Sequence, residues 1–457
     1  MRAPRYGRPR WRSAAADRFQ HPAQVIVTAF GTAIGIGTVL LSLPVATETG
    51  TGTGLTDALF TATSAVCVTG LVTVDTGGHW SMFGEVVILG LIQVGGLGIM
   101  TLATLLAVLL SGRLGLRARL LAQAETKTPG LADLRRVIRN IVLFSIGCES
   151  VAAIVLTVRF MTAYGQSSGT AIYEGIFHSV SAFNNAGFSP YADNLMRFVA
   201  DPWVTLTIAI AFIVGGIGFP VVFELARSWR RPAQWSVLTR ITLVVTGALL
   251  AAGTIVLTLT EFSNPRTLGP LSGPAKILAG FFAAATPRTA GFNSIDVAAM
   301  RPESWLTTDV LMFIGGGSAG TAGGIKVTTF GLLAFVIWAE MRGEPRVNVG
   351  RRRIPEANQR QALAIALLGI VGVAAATFAL LHLTPYSTDR VLFEVVSALG
   401  TVGMTTGITA DLPTAGQLLL TVLMFVGRIG PLTAASALAL RERARRFELP
   451  EERTIVG

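Results

Sequence analysis

The chain has 457 residues, 51% of them hydrophobic and only 14% charged, where soluble proteins of this size carry about a quarter charged residues, so an ordinary water-soluble domain is excluded. Glycine is in excess at 50 residues with neither a collagen period nor a linker composition, so the glycines serve ordered backbone. The net charge of +11 comes from basic residues scattered between apolar runs, which speaks for membrane orientation and against nucleic acid, and two cysteines, Cys67 and Cys148, exclude a disulfide framework or a four-cysteine zinc site.

In chain order, a basic segment 1–23 leads into an apolar span at 24–46, longer than a secretory h-region and without a clear cleavage site, so it reads as a first transmembrane helix. A short apolar segment follows at 55–65, too short for the ~20 residues that cross a bilayer, and then a second span at 86–110. The pattern of span, short segment and span recurs at 137–161, 172–182 and 203–226; at 237–259, 276–285 and 310–338; and at 362–383, 390–398 and 417–440. The expected fold class is therefore an all-α polytopic membrane protein with eight transmembrane helices and four re-entrant short helices. Its expected units are repeats at 24–112, 137–230, 231–342 and 361–440, basic loops at 113–136 and 343–360, and a tail at 441–457. Segments 1–23, 112–139, 227–240, 341–360 and 441–457 hold 28 of the 37 basic residues. By the positive-inside rule both termini face the cytoplasm, and the short helices dip in from outside.

Stacking the residues after each short segment exposes a fourfold repeat: FTATSAVCVTGL (60–71), FHSVSAFNNAGF (177–188), FFAAATPRTAGF (281–292) and FEVVSALGTVGM (393–404). Gly70, Gly187, Gly291 and Gly403 lie 117, 104 and 112 residues apart, each with a phenylalanine ten residues earlier, at Phe60, Phe177, Phe281 and Phe393. Small residues stand six before each glycine, at Ser64, Ser181, Ala285 and Ser397. The second spans repeat too, as VGGLG (94–98), VGGIG (214–218), IGGGS (314–318) and VGRIG (426–430). For these helix glycines close helix packing and pore lining both stand open. Four copies of such a unit can close around one central pore with pseudo-fourfold symmetry.

Non-helical backbone at membrane depth must be buried in protein or line a wet path. The segments Val68-Thr69-Gly70, Asn185-Ala186-Gly187, Thr289-Ala290-Gly291 and Thr401-Val402-Gly403 each end on glycine, which allows the alternating backbone dihedrals that point successive carbonyls one way. Rings of four carbonyls replace the hydration shell of a monovalent cation. These loops, with NNAGF, TPRTAGF and GTVGMTTG, resemble the filter segments of the Ktr/Trk/HKT superfamily of potassium transporters over residues 24–440, and the short stretch before the first span makes the chain most like a Ktr membrane subunit. The resemblance implies a potassium-channel-like pore and potassium uptake across the plasma membrane, with Gly70 in place of a sodium-favouring serine. It also implies a homodimer in membrane lipid and a cytosolic ring of nucleotide-binding regulatory subunits, through which alone a nucleotide acts. Potassium is the transported ion, and no covalently bound cofactor or enzyme activity is expected.

In the third repeat the second span is interrupted by GGGSAGTAGGIKVTT (315–329), and half-helices around a Gly-rich break point to a functional site. The resemblance makes this stretch a gate below the filter, with Gly315, Gly316, Gly317, Ser318, Gly320, Gly323, Gly324 and Lys326. Arg428 stands where the other repeats carry Gly96, Gly216 and Gly316, and an intramembrane arginine is a functional residue by default. It is expected to raise the barrier to a cation and to bond loop carbonyls, the competing reading being an ion pair with Glu149, Glu224 or Glu394. Two other functions keep a foothold: an intramembrane serine protease at Ser318, within Gly316-Gly317-Ser318-Ala319-Gly320, and a coupled secondary transporter using the broken helix. His21, His79, His178 and His382 have no metal-ligand spacing.

Overall fold

The computed structural model describes residues 22–111, 131–350 and 352–440; the N-terminal basic segment up to residue 21, most of the 113–136 loop and the 441–457 tail lie outside them. Each long apolar run is helical because hydrocarbon offers no partner to a free N–H or C=O, so every backbone group must be bonded within its own segment. The first set is α1 (Pro22–Leu41), short α2 (Leu55–Val66), one-turn α3 (Thr76–His79) and α4 (Met82–Ser111). A second set comprises α5 (Leu131–Tyr164), short α6 (Ser168–Phe183), α7 (Pro202–Ile217) and α8 (Phe219–Ser228). In the third are α9 (Val237–Glu261), short α10 (Gly273–Ala285), α11 (Pro302–Phe313) and α12 (Val327–Met341), and in the fourth α13 (Glu356–Leu383), short α14 (Thr388–Gly400) and α15 (Thr414–Leu440). Segments Met82–Thr101, Arg135–Tyr164, Val237–Glu261 and Glu356–Leu383 are each long and apolar enough to cross a membrane. The basic loop before α13 adds what an all-α expectation misses, a small hairpin pairing Asn348–Val349 with Arg352–Arg353.

The short helices are buried toward their C-terminal ends, each with a fully buried phenylalanine: Phe60, Phe177, Phe282 and Phe393. The third corrects the expected alignment, since Phe281 is only half-buried and Phe282 takes the core position. The third repeat is therefore one residue shorter between its buried phenylalanine and its glycine.

The expected continuous span at 203–226 is instead bent by 99° between α7 and α8. Gly218 at the corner has φ 101°, and Pro220 has no N–H to return to the carbonyl of Gly216. Residues from the break between α11 and α12 enter this corner. The Gly317 N–H donates to Gly216 O (2.8 Å), the Thr321 N–H to Gly215 O (3.1 Å) and the Phe219 N–H to Ala319 O (3.3 Å). Backbone groups orphaned by one broken helix are thus satisfied by the other. The break between α11 and α12 itself is closed at its neck by a parallel bridge of Ile314 with Ile325, with Gly315 N donating to Ile325 O at 2.8 Å and Val327 N to Gly316 O at 3.0 Å.

Candidate ion pathway and closing loop

The turns that follow α2, α6, α10 and α14 share one backbone pattern. The residue two before each glycine has positive φ (Val68 55°, Asn185 61°, Thr289 75°, Thr401 50°), and so does the glycine (Gly70 95°, Gly187 68°, Gly291 77°, Gly403 97°), while Thr69, Ala186, Ala290 and Val402 between them do not. Left-handed Val and Thr are rare, costing about 1–3 kcal/mol each, and such strain persists where surrounding structure enforces it.

The four turns also approach one another in a closed order. A Cβ on Gly70 would stand 2.4 Å from Ala186 O, on Gly187 2.9 Å from Ala290 O, on Gly291 2.4 Å from Val402 O and on Gly403 2.1 Å from Thr69 O. First faces second, second third, third fourth, and fourth first. Each glycine is required because a side chain would displace the neighbour's carbonyl. Such an arrangement can present backbone dipoles to a dehydrated cation. Above it a cavity of about 230 Å³, walled in part by the four glycines, carries the carboxylates of Asp75 and Asp296, each already accepting a backbone N–H, from Gly78 (2.8 Å) and Ala298 (3.0 Å). Tyr191 also lines this cavity, its phenol pKa pushed up by burial and by its hydrogen bond to Glu174.

The residues noted only as small in the sequence brace the turns. Ser64 Oγ accepts from Gly70 N (3.0 Å) and Ser397 Oγ from Gly403 N (3.1 Å), while Ser181 Oγ donates to Phe188 O (2.7 Å). In the third repeat Thr286, not Ala285, does this, its Oγ1 donating to Phe292 O at 2.6 Å. Glu149, which the sequence offered only as a candidate partner of Arg428, sits behind the second turn: Gln93 Nε2 donates to its Oε1 at 3.1 Å and Asn184 Nδ2 at 3.2 Å, and Asn184 also donates to Gln93 Oε1 at 2.8 Å. The helix glycines favour packing, since a Cβ on Gly95, Gly215 or Gly427 would fall within about 2 Å of the carbonyl of Val66, Phe183 or Leu399 at the end of a short helix.

Residues 315–325 are buried apart from half-buried Ser318 and Ala319, and lie against the underside of the turns. Thr321 Oγ1 bonds Asn185 Oδ1 (2.8 Å) and Phe183 O (3.2 Å), a direct link from the loop to the second turn. Three cations hold the loop by its own carbonyls: Arg428 Nη1 donates to Thr321 O (2.5 Å), Lys326 Nζ to Ala322 O (2.5 Å) and Arg288 Nη2 to Gly315 O (3.5 Å). Arg428 is 4% exposed. Its ion-pair alternative is corrected: Glu149 is bonded to amides, Glu224 to Ser236 and Thr239, and Glu394 to Thr405, Thr406 and Thr409. Ser318 Oγ is bonded to Thr328 Oγ1 at 2.8 Å, not to a histidine. Among the described residues no histidine, cysteine or carboxylate cluster can hold a metal ion.

Long apolar helices, short helices buried toward their C-terminal ends and a loop returning into a broken span define a polytopic membrane protein of the ion-transport class. The family model described as TrkH, a cation transport protein, matches residues 6–447, and the chain belongs to this family, which is one of transporters and not of enzymes. The chain is 44% identical to the Ktr system potassium uptake protein B of Bacillus subtilis over 436 residues, 95% of this chain and 97% of that one. It is 40% identical to the protein of the same name from Vibrio alginolyticus, covering 92% and 91%, and 34% identical to the potassium/sodium uptake protein NtpJ of Enterococcus hirae, covering 95% and 97%. The solved structure of the potassium transporter TrkH from Vibrio parahaemolyticus shares its fold, with a TM-score of 0.69 at 18% identity over 93% of this chain and 86% of that one.

Proposed function

We propose that the chain takes up potassium through one pore built by four pseudo-symmetric repeats with eight membrane crossings. Its ions are held by the carbonyls of Val68-Thr69-Gly70, Asn185-Ala186-Gly187, Thr289-Ala290-Gly291 and Thr401-Val402-Gly403. The observation that carries this reading is the closed cycle of glycine-to-carbonyl approaches, in which each turn packs on the next and the fourth on the first. Relatives named as potassium uptake proteins at 44% and 40% identity supply the ion.

Gly315, Gly316, Gly317, Ser318, Gly320, Gly323 and Gly324 form the gate, with Lys326 and Arg428 as its electrostatic barrier. A cation leaving the turns meets the loop on which Arg288, Lys326 and Arg428 converge, and like charges repel strongly where water is scarce. Opening requires the loop to leave the α7–α8 corner. The word "system" in the relatives' names fits a partner subunit; the regulator is a cytosolic nucleotide-binding ring, and the pore subunit is a homodimer in the plasma membrane with both termini inside.

The test is ion flux in liposomes with Gly70→Ser. The variant is expected to lose potassium preference and admit sodium, and an unchanged potassium-to-sodium ratio would sink the filter assignment. Because one relative is named a potassium/sodium uptake protein, sodium dependence is measured in the same assay.

A further inference from the structure

Helices α13, α14 and α15 and the end of the loop enclose a cavity of about 370 Å³, within the roughly 300–1,000 Å³ range of small-ligand sites. Gly372 and Gly430, at which a Cβ would meet nothing nearer than 3.6 Å, leave part of the space, Gly324, Gly369, Gly400 and Gly427 bring bare backbone to its wall, and every side chain on that wall is hydrocarbon. Leu368 on its rim is 64% exposed and Val426 48% exposed, so the cavity opens sideways between α13 and α15. Gly369 and Gly372 lie midway along α13, and Gly427 midway along α15. The middle of a membrane-crossing helix stands at the centre of the bilayer. The mouth therefore faces lipid tails, not water or headgroups.

A void of this kind does not hold water, which needs two to four polar partners. Left empty, its lining would lose the dispersion contacts that a filled space supplies. We propose that one acyl chain of a membrane phospholipid occupies this cavity, its end against Gly324 and Ile325. Ile325 O accepts the Gly315 N–H that closes the neck of the loop. The occupant thus packs behind that neck and favours the arrangement described here, a consequence that rests on the gate reading above, whereas occupancy itself does not.

The test uses the full-length protein in vesicles containing phosphatidylglycerol with a diazirine midway along one acyl chain; after irradiation, adducts are located by peptide mass spectrometry. Adducts are expected to concentrate on residues 365–373 and 423–430. A Cβ on Gly372 meets only Leu399 Cδ2, at an ordinary 3.7 Å, so Gly372→Leu can grow into the space. That variant should lower labelling there by about tenfold, the change that ~1.4 kcal/mol of lost affinity produces, while Gly372→Ala keeps it. Leu368→Trp, which blocks the rim from an exposed position, gives the same answer if Gly372→Leu fails to fold. Labelling spread evenly over the outer faces of α5 and α9, or unchanged in folded cavity-filling variants, would overturn the proposal. So would efficient disulfide formation between two Leu368→Cys protomers, because a second copy would then cover the mouth. None of these measurements involves flux, so their failure is distinct from failure of the transport reading.

Discussion

Among the residues of the pathway, the glycines tolerate least. Gly403→Ala would place a methyl group 2.1 Å from Thr69 O at a φ of 97°. With strain of about 1–3 kcal/mol at such a residue, flux should fall roughly ten- to a hundredfold, measured as rubidium uptake against equal amounts of membrane protein; near-wild-type uptake would contradict the ring. Arg428 acts in the other direction. Arg428→Ala removes both a charge above the exit and the donor to Thr321 O, so uptake by the folded variant should rise. Unchanged or reduced uptake counts against its place in the gate. Thr321→Val separates the two links of that residue, since it keeps the carbonyl for Arg428 but loses the hydroxyl bonds to Asn185 and Phe183. A buried polar group left without its partner costs about 1–3 kcal/mol, here on the filter side, at Asn185. Thr321→Val should therefore change the potassium-to-sodium ratio as well as the flux, and a change in flux alone would show that loop and filter act independently.

At the scale of elements, the two broken helices depend on each other. Gly218 is the corner of α7–α8, and a Cβ there would lie 2.3 Å from Ser318 O. Gly218→Ala should loosen the loop and raise basal flux as Arg428→Ala does. The double variant should fall short of the sum, because changes that act on one shared structure are not additive; full additivity would separate the corner from the gate. The break between α11 and α12 was legible in the sequence as a run of glycines long enough to stop a helix. The α7–α8 bend was not, because Gly218-Phe219-Pro220 lies inside an unbroken apolar stretch and the bend is stabilised by a loop about a hundred residues away. The third repeat misled for a related reason: counting back from Gly291 lands on Phe281 and Ala285, whereas helix packing selects Phe282 and Thr286. The partners of Glu149 could not be read either, since Gln93 lies on α4 and Asn184 in the turn after α6, at separations of 56 and 35 residues.

For the whole molecule, the fourfold offsets of glycine and phenylalanine were visible because every repeat must meet the same neighbours, but the direction in which the assembly crosses the bilayer is set by charge. The hairpin arginines Arg352 and Arg353 are exposed and lie in a basic loop, whereas Glu303 is exposed at the start of α11, which the positive-inside reading assigns to the opposite side. A charged side chain at the bilayer centre costs about 2.5–3.5 kcal/mol on insertion scales, and short basic loops are retained in the cytoplasm. Moving the basic loops across would be opposed several times over, whereas keeping them inside leaves only a few charges to translocate. In a background with Cys67 and Cys148 replaced, a membrane-impermeant maleimide should label Glu303→Cys in intact cells and Arg352→Cys only after permeabilisation. The reverse pattern would invert the orientation, and with it the assignment of the glycine ring to the outer side and of the loop to the inner side of the pathway.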